Sequence, residues 1–90
     1  MPAGVDTMQV TLKLFATLGD YLPSGAKFNQ IELTVEPGTT VQTLVDRFAL
    51  PPKLVHLVLV NGHYIAPERR ETHTLHGGDV LAIWPPIAGG

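Results

Sequence analysis

The sequence contains no cysteine among its 90 residues. This absence excludes disulfide bonds, thiolate metal ligands and a cysteine nucleophile. Basic residues are also few, with six Lys and Arg against eight Asp and Glu and a formal charge of -2. Since nucleic-acid binding depends on basic side chains that neutralise phosphates, the charge argues against a nucleic-acid partner.

Long hydrophobic runs are missing as well. The apolar run Leu57 to Val60 is far too short to cross a bilayer, and the opening MPAGVDTMQV lacks the basic and apolar segments of a signal peptide. We therefore expect a cytoplasmic protein without membrane contact. A hydrophobic content of 44% over 90 residues is enough for one small folded domain.

Hydrophobic periodicity predicts two strands and one helix in the first half of the chain. Residues 1–7 are expected to form a flexible arm, and alternation predicts strands over 8–15 and 30–35, joined by a loop with one short helical turn. A helix follows, with Thr39 or Thr40 as its N-cap and the Thr39 and Gln42 pair at capping-box spacing. Pro51-Pro52 ends this helix, whose apolar stripe consists of Val41, Leu44, Val45 and Phe48.

The second half predicts three more strands. Asn61-Gly62 lies between two apolar segments and predicts a type I′ hairpin turn, and Gly77-Gly78-Asp79 precedes the apolar strand VLAIW. That strand should be central, and Leu75 should anchor the preceding loop in the core. The order of elements predicts an α+β, ubiquitin-like β-grasp domain over residues 8–84, a mixed sheet of four to five strands with one main crossing helix.

The last six residues, PPIAGG, predict an extended tail over 85–90. Pro85 and Pro86 cannot donate to a sheet ladder, so the chain must leave the sheet there, and six residues reach at most about 20 Å. Gly89 and Gly90 fit a narrow channel in a partner and deliver the carboxylate of Gly90. Ile87 and Ala88, with both prolines and Gly89, would contact the same partner. A frayed end without function is the competing interpretation.

A carboxylate is a poor acyl donor, and ATP is its simplest activator. The sequence contains neither a P-loop motif nor a dinucleotide-binding glycine motif. We therefore expect this chain to bind no cofactor and ATP to be used by a partner enzyme.

The segments LKLFATL, EPGTTVQTLVDRF, VLVNGHYI and LHGGDVLAIWPPIAGG together resemble the MoaD/ThiS family of β-grasp sulfur carriers, over Met8 to Gly90. The resemblance is greater to the MoaD branch, the small subunits of molybdopterin synthase. It implies that a ubiquitin-activating-like enzyme adenylates Gly90, and that a sulfur-transfer protein supplies sulfur for a thiocarboxylate. It further implies that the large synthase subunit takes the tail and that a pterin precursor of molybdenum or tungsten cofactor accepts the sulfur.

Two segments depart from the family pattern, because the loop GDYLPSGAKFNQ is longer than expected and ALPPKLV is shorter. Donation to thiazole or another product therefore stays open. Two hypotheses from different classes also stay open, namely conjugation of Gly90 to lysines, as in a protein modifier, and a pure interaction module with an inert tail. Under each of these hypotheses the chain is non-catalytic by itself.

Three other groups of residues invite a functional interpretation. His73 and His76 have H-x-x-H spacing but no defined third ligand, so we predict no metal site. The cluster Glu68 to Glu71, which includes Arg69 and Arg70, predicts a solvated loop. Trp84 should face away from Leu81 and Ile83, and with Leu57 and Leu59 it forms either an apolar docking patch or part of the core.

Overall fold

The computed structural model describes residues 7–86, so most of the predicted arm and residues 87–90 of the predicted tail lie outside the described residues. No helix within 7–86 has the length and apolar character needed to cross a bilayer. The strands are β1 Met8–Leu14, β2 Gln30–Val35, β3 Leu57–Val60, β4 His63–Tyr64 and β5 Val80–Trp84, and the α-helix is α1 Val41–Arg47. Three 3₁₀ helices occupy Ala16–Tyr21, Pro52–Leu54 and Pro67–Arg69.

The five strands form one mixed sheet in the order β2-β1-β5-β3-β4. β1 pairs antiparallel with β2 and parallel with β5, while β3 pairs antiparallel with both β5 and β4. This order confirms the predicted ubiquitin-like β-grasp arrangement and the central place of the last strand. The first strand is one residue shorter than predicted, because Ala16 adopts φ 53° and turns the chain into a 3₁₀ helix.

The core lies between one face of the sheet and α1. Alternate strand residues point into it, as the period-two pattern predicted, and the helix contributes three buried residues of the predicted stripe. Leu75 is fully buried, which confirms it as the anchor of its loop. The largest fully buried side chains are Leu12, Leu14, Leu18, Leu44, Leu75, Leu81, Ile83, Val10, Val41 and Val58.

The N-cap of α1 is Thr40, and the predicted pairing of Thr39 with Gln42 is wrong. Thr40 has the extended backbone that an N-cap requires, and its Oγ1 accepts from the backbone N–H of Thr43 at 3.1 Å. The Thr43 Oγ1 accepts in turn from the Thr40 N–H at 3.2 Å, which completes the capping box one residue later. Gln42 instead donates to Asp46 on the next turn of the helix.

The turn between β3 and β4 has the predicted type I′ conformation, with φ 52° at Asn61 and 84° at Gly62. The Asn61 side chain also connects this turn to the start of β5. Its Oδ1 accepts from the Val80 N–H at 2.8 Å, and its Nδ2 donates to Asp79 Oδ1 at 2.8 Å. Because these bonds span the hairpin and the last strand, they hold the two elements in register.

Candidate functional site

The predicted tail begins where the central strand β5 ends. The carbonyl of Trp84 accepts from the His56 N–H at 3.1 Å, after which Pro85 is half-buried and Pro86 is exposed. Neither proline has an N–H to continue the ladder, so the chain leaves the sheet at this point. Ile87, Ala88, Gly89 and Gly90 lie outside the described residues, and their role stays a prediction.

Trp84 lies on the outer face of the sheet, opposite the helix. Its strand neighbours Leu81 and Ile83 are completely buried on the inner face, whereas Trp84 is half-buried. The indole packs flat on Phe15, with ring centroids 4.4 Å apart and planes within 3°. Sequence reasoning missed Phe15, although the alternation of the strand predicted over 8–15 already places it on this face.

Leu57 and Leu59 share the outer face with Trp84. The Cα partner of Leu57 is Trp84, and Leu59 stands opposite both Ala82 in β5 and Tyr64 in β4. Leu57 is 36% exposed and Tyr64 is 59% exposed. The structure therefore brings together an outer patch that consists of Phe15, Leu57, Leu59, Tyr64 and Trp84.

The outer patch has the composition of an interface core. Aromatic residues predominate in it and no member is charged, which is the signature that separates interface cores from ordinary surface. Towards β1 and β2 the same face becomes polar, with Thr11 opposite Glu32 and Lys13 opposite Gln30. The patch therefore lies beside the tail exit and covers only one half of the sheet.

Arg70 corrects the prediction of a solvated charge cluster. Glu68, Arg69 and Glu71 are exposed, but Arg70 is only 6% exposed. Its guanidinium donates to the backbone carbonyls of Val55 and His56, each at 3.2 Å, and to that of Ile65 at 3.4 Å.

These carbonyls explain why a cation is buried here. They lie just before β3 and just after β4, and a planar guanidinium with five donors can reach all three together. Two of these carbonyls, those of Val55 and His56, belong to the segment that pairs with the base of the tail, since the His56 N–H donates to the Trp84 carbonyl. Arg70 thus supports the site from inside the protein, and its loop position in the sequence gives no sign of this.

The histidines form no metal site in the part of the chain that the structure describes. Residues 7–86 contain no group of three or more His, Asp or Glu side chains arranged to hold an ion. His73 is half-buried, and its backbone carbonyl accepts from the Val41 N–H at the start of α1. His76 is exposed, and its N–H donates to Asp79.

The exposure of Trp84 leads to a prediction about stability. We expect Trp84→Ala to lower the free energy of unfolding by about 1–2 kcal/mol, since it removes one aromatic stack and part of a buried surface. Ile83→Ala in the same strand is the matched control and should cost about 3 kcal/mol, because Ile83 is fully buried. Urea unfolding measures both variants. An equal loss for the two would make Trp84 a core residue.

The five-stranded β-grasp domain, with an apolar patch beside the exit of its C-terminal segment, has the fold of the ubiquitin-like carriers and modifiers. The model of the ThiS family matches residues 12–90, and the chain belongs to this family. Among curated proteins, none matches the chain in sequence.

Solved structures extend the similarity across the class. The chain is 26% identical to the Haloferax volcanii protein HVO 2177, covering 93% of this chain and 88% of that one, with a TM-score of 0.71. It is 26% identical to SAMP1 of H. volcanii, and the match covers 91% of this chain and 99% of SAMP1 with a TM-score of 0.65. Subunit 1 of molybdopterin-converting factor from Helicobacter pylori, solved in complex with subunit 2, shares the fold at 20% identity, 92% and 100% coverage and a TM-score of 0.57.

Proposed function

We propose that this protein is a sulfur carrier that transfers sulfur from a thiocarboxylate on Gly90 to a pterin precursor of molybdenum or tungsten cofactor. The observation that carries the proposal is the outer patch beside the tail exit, in a chain of the ThiS family. A partner docked on the patch would be placed to receive the residues after Pro86. The H. pylori complex supports a large synthase subunit as one such partner.

The chemistry begins at the Gly90 carboxylate. One carboxylate oxygen attacks the α-phosphorus of ATP, pyrophosphate leaves, and an acyl adenylate forms. The hydrosulfide ion HS⁻ then attacks the acyl carbon, the acyl–oxygen bond to AMP breaks so that AMP leaves with the transferred oxygen, and the remaining sulfur-bound proton is released to give the thiocarboxylate. If a protein persulfide supplies the sulfur, a thiol must also reduce the resulting sulfur–sulfur bond.

The contribution of this chain is to position the carboxylate, since the partner supplies the ATP site. Pro85 and Pro86 restrict the backbone at the start of the tail, which lowers the entropy lost when a partner orders it. Trp84, half-buried against Phe15, holds the base of the tail on the sheet. The domain therefore presents its reactive end from a rigid platform.

The test is the intact mass of the protein after incubation with its adenylating enzyme, ATP and sulfide. We expect the mass to increase by the difference between sulfur and oxygen, and we expect no increase without ATP. Alkylation with iodoacetamide then reports the new sulfur, since the chain has no cysteine that could react. An unchanged mass with an enzyme that activates another carrier would contradict the proposal.

A protein-modifier function is the second candidate. The similarity to SAMP1 favours it, since that abbreviation stands for small archaeal modifier protein 1. The acyl adenylate is then attacked by a lysine amine of another protein, with loss of AMP and a proton. Peptide mass spectrometry of host proteins distinguishes the candidates. Lysines that carry the C-terminal glycines of this chain would establish conjugation, whereas thiocarboxylate alone would support the carrier.

A further inference from the structure

The loop before β2 ends in a tight turn that contains Phe28, a residue type that is unusual in such a turn. Lys27 and Gln30 exchange both backbone hydrogen bonds, at 3.1 and 3.0 Å, which leaves Phe28 and Asn29 as a two-residue turn. Both residues are left-handed, with φ 54° at Phe28 and 63° at Asn29. Type I′ turns of this kind strongly prefer asparagine and glycine.

Asn29 fits the turn, but Phe28 does not. The Asn29 side chain donates to the Leu14 carbonyl at 3.0 Å, so it contributes to the fold. A side chain with a Cβ is disfavoured in the left-handed region, and a bulky one is a true outlier there. The Phe28 side chain is also 92% exposed, so its contacts do not compensate for this conformation. The folded domain gains nothing from an aromatic residue at this position, which indicates a role outside the domain.

Phe28 lies at the end of the sheet from which the tail leaves. The Asn29 carbonyl accepts from the Leu14 N–H at 2.9 Å, and Leu14 pairs with Ile83, the residue before Trp84. Two strand spacings, about 10 Å, therefore separate β2 from β5 at this end. An enzyme that binds the tail stands at this end of the domain and is within reach of Phe28.

We infer that Phe28 is an aromatic anchor for the adenylating enzyme, which receives it in an apolar pocket beside the cleft for the tail. This inference rests on the proposed function, because it takes activation of Gly90 as the event that brings the two proteins together. An exposed aromatic side chain in a rigid two-residue turn loses little entropy on binding, and such residues commonly dominate interface energetics. We assign Phe28 to the adenylating enzyme because adenylation of Gly90 precedes every later transfer, whether the product is a thiocarboxylate or a conjugate to lysine.

The variant Phe28→Asn tests the inference, since asparagine suits the turn and lacks the aromatic ring. ATP–pyrophosphate exchange is measured with the purified adenylating enzyme of the same organism and this protein as the varied substrate. We expect KM to rise about tenfold or more with kcat nearly unchanged. The unfolding temperature should rise by roughly 4 °C, because the strained residue is replaced by one that tolerates the conformation.

Two further variants separate binding from stability. Phe28→Leu keeps an apolar side chain and should recover most of the affinity. Ala49→Gly relieves the same conformation, φ 53°, at an exposed residue after α1, so it should raise the unfolding temperature without changing KM. A wild-type KM in Phe28→Asn would overturn this inference alone. If the wild-type chain itself supports no exchange, the proposed function and this inference both fall.

Discussion

Deletion of Gly90 is expected to lower the rate of adenylation by about 100-fold or more and to leave the unfolding temperature unchanged. The shortened chain still ends in a glycine carboxylate, that of Gly89, so the chemistry of the reacting group is the same. Only its position changes, since one extended residue spans about 3.5 Å. Misplacement of a reacting group by about 1 Å can already cost about 100-fold.

ATP–pyrophosphate exchange with the adenylating enzyme measures this effect. A chain with one glycine added after Gly90 is the matched variant, because it keeps a glycine carboxylate, moves it outwards by the same distance and should fail equally. Both variants should retain the affinity that the folded domain contributes, and both should therefore inhibit exchange by the wild type. Exchange at the wild-type rate by either variant would mean that the tail is not positioned by its length.

Replacement of Arg70 by methionine is expected to lower the free energy of unfolding by about 3 kcal/mol. Methionine fills a similar volume, but the carbonyls of Val55, His56 and Ile65 each lose a donor in the buried side of the domain. An unsatisfied buried carbonyl costs about 1–3 kcal/mol. We expect a total loss below the sum of three such costs, because the contact to the Ile65 carbonyl is long, at 3.4 Å, and the bond to the His56 carbonyl is only partly buried.

Urea unfolding measures the loss, with Arg69→Met as the matched control. Arg69 is the exposed neighbour of Arg70, so its replacement should change stability by less than about 0.5 kcal/mol. Arg70→Lys should recover little, because one ammonium group cannot reproduce a planar fork. An equal and small loss for both arginines would contradict the structural role of Arg70.

Arg70→Met should also alter the tail exit while the protein remains folded. Arg70 holds the carbonyl of His56, and the His56 N–H donates to Trp84, which is the only tryptophan in the chain. The tryptophan fluorescence of the protein therefore reports on the tail exit alone. We expect the emission to shift to longer wavelength as the indole becomes more exposed, and we expect Arg69→Met to leave the spectrum unchanged.

The sequence by itself determined the elements whose signals are local. The alternation in β1 and β2 predicted which residues face the helix, because a strand with one buried face must repeat every second residue. Asn61-Gly62 predicted its turn, since few other residue pairs accept two left-handed conformations. The order of strands and helix then sufficed for the β-grasp fold, whereas the carrier function that the PPIAGG segment predicted stays a proposal.

Only the tertiary structure decided the features that join distant parts of the chain. Arg70 resembles any other surface charge until Val55 and His56, some fifteen residues earlier, bring their carbonyls to it. Phe15 joins the outer patch because parallel pairing of β1 and β5 carries it to Trp84. Periodicity specifies which face of an element is buried, but it does not specify which partner that face meets, because the partner depends on how all the strands assemble.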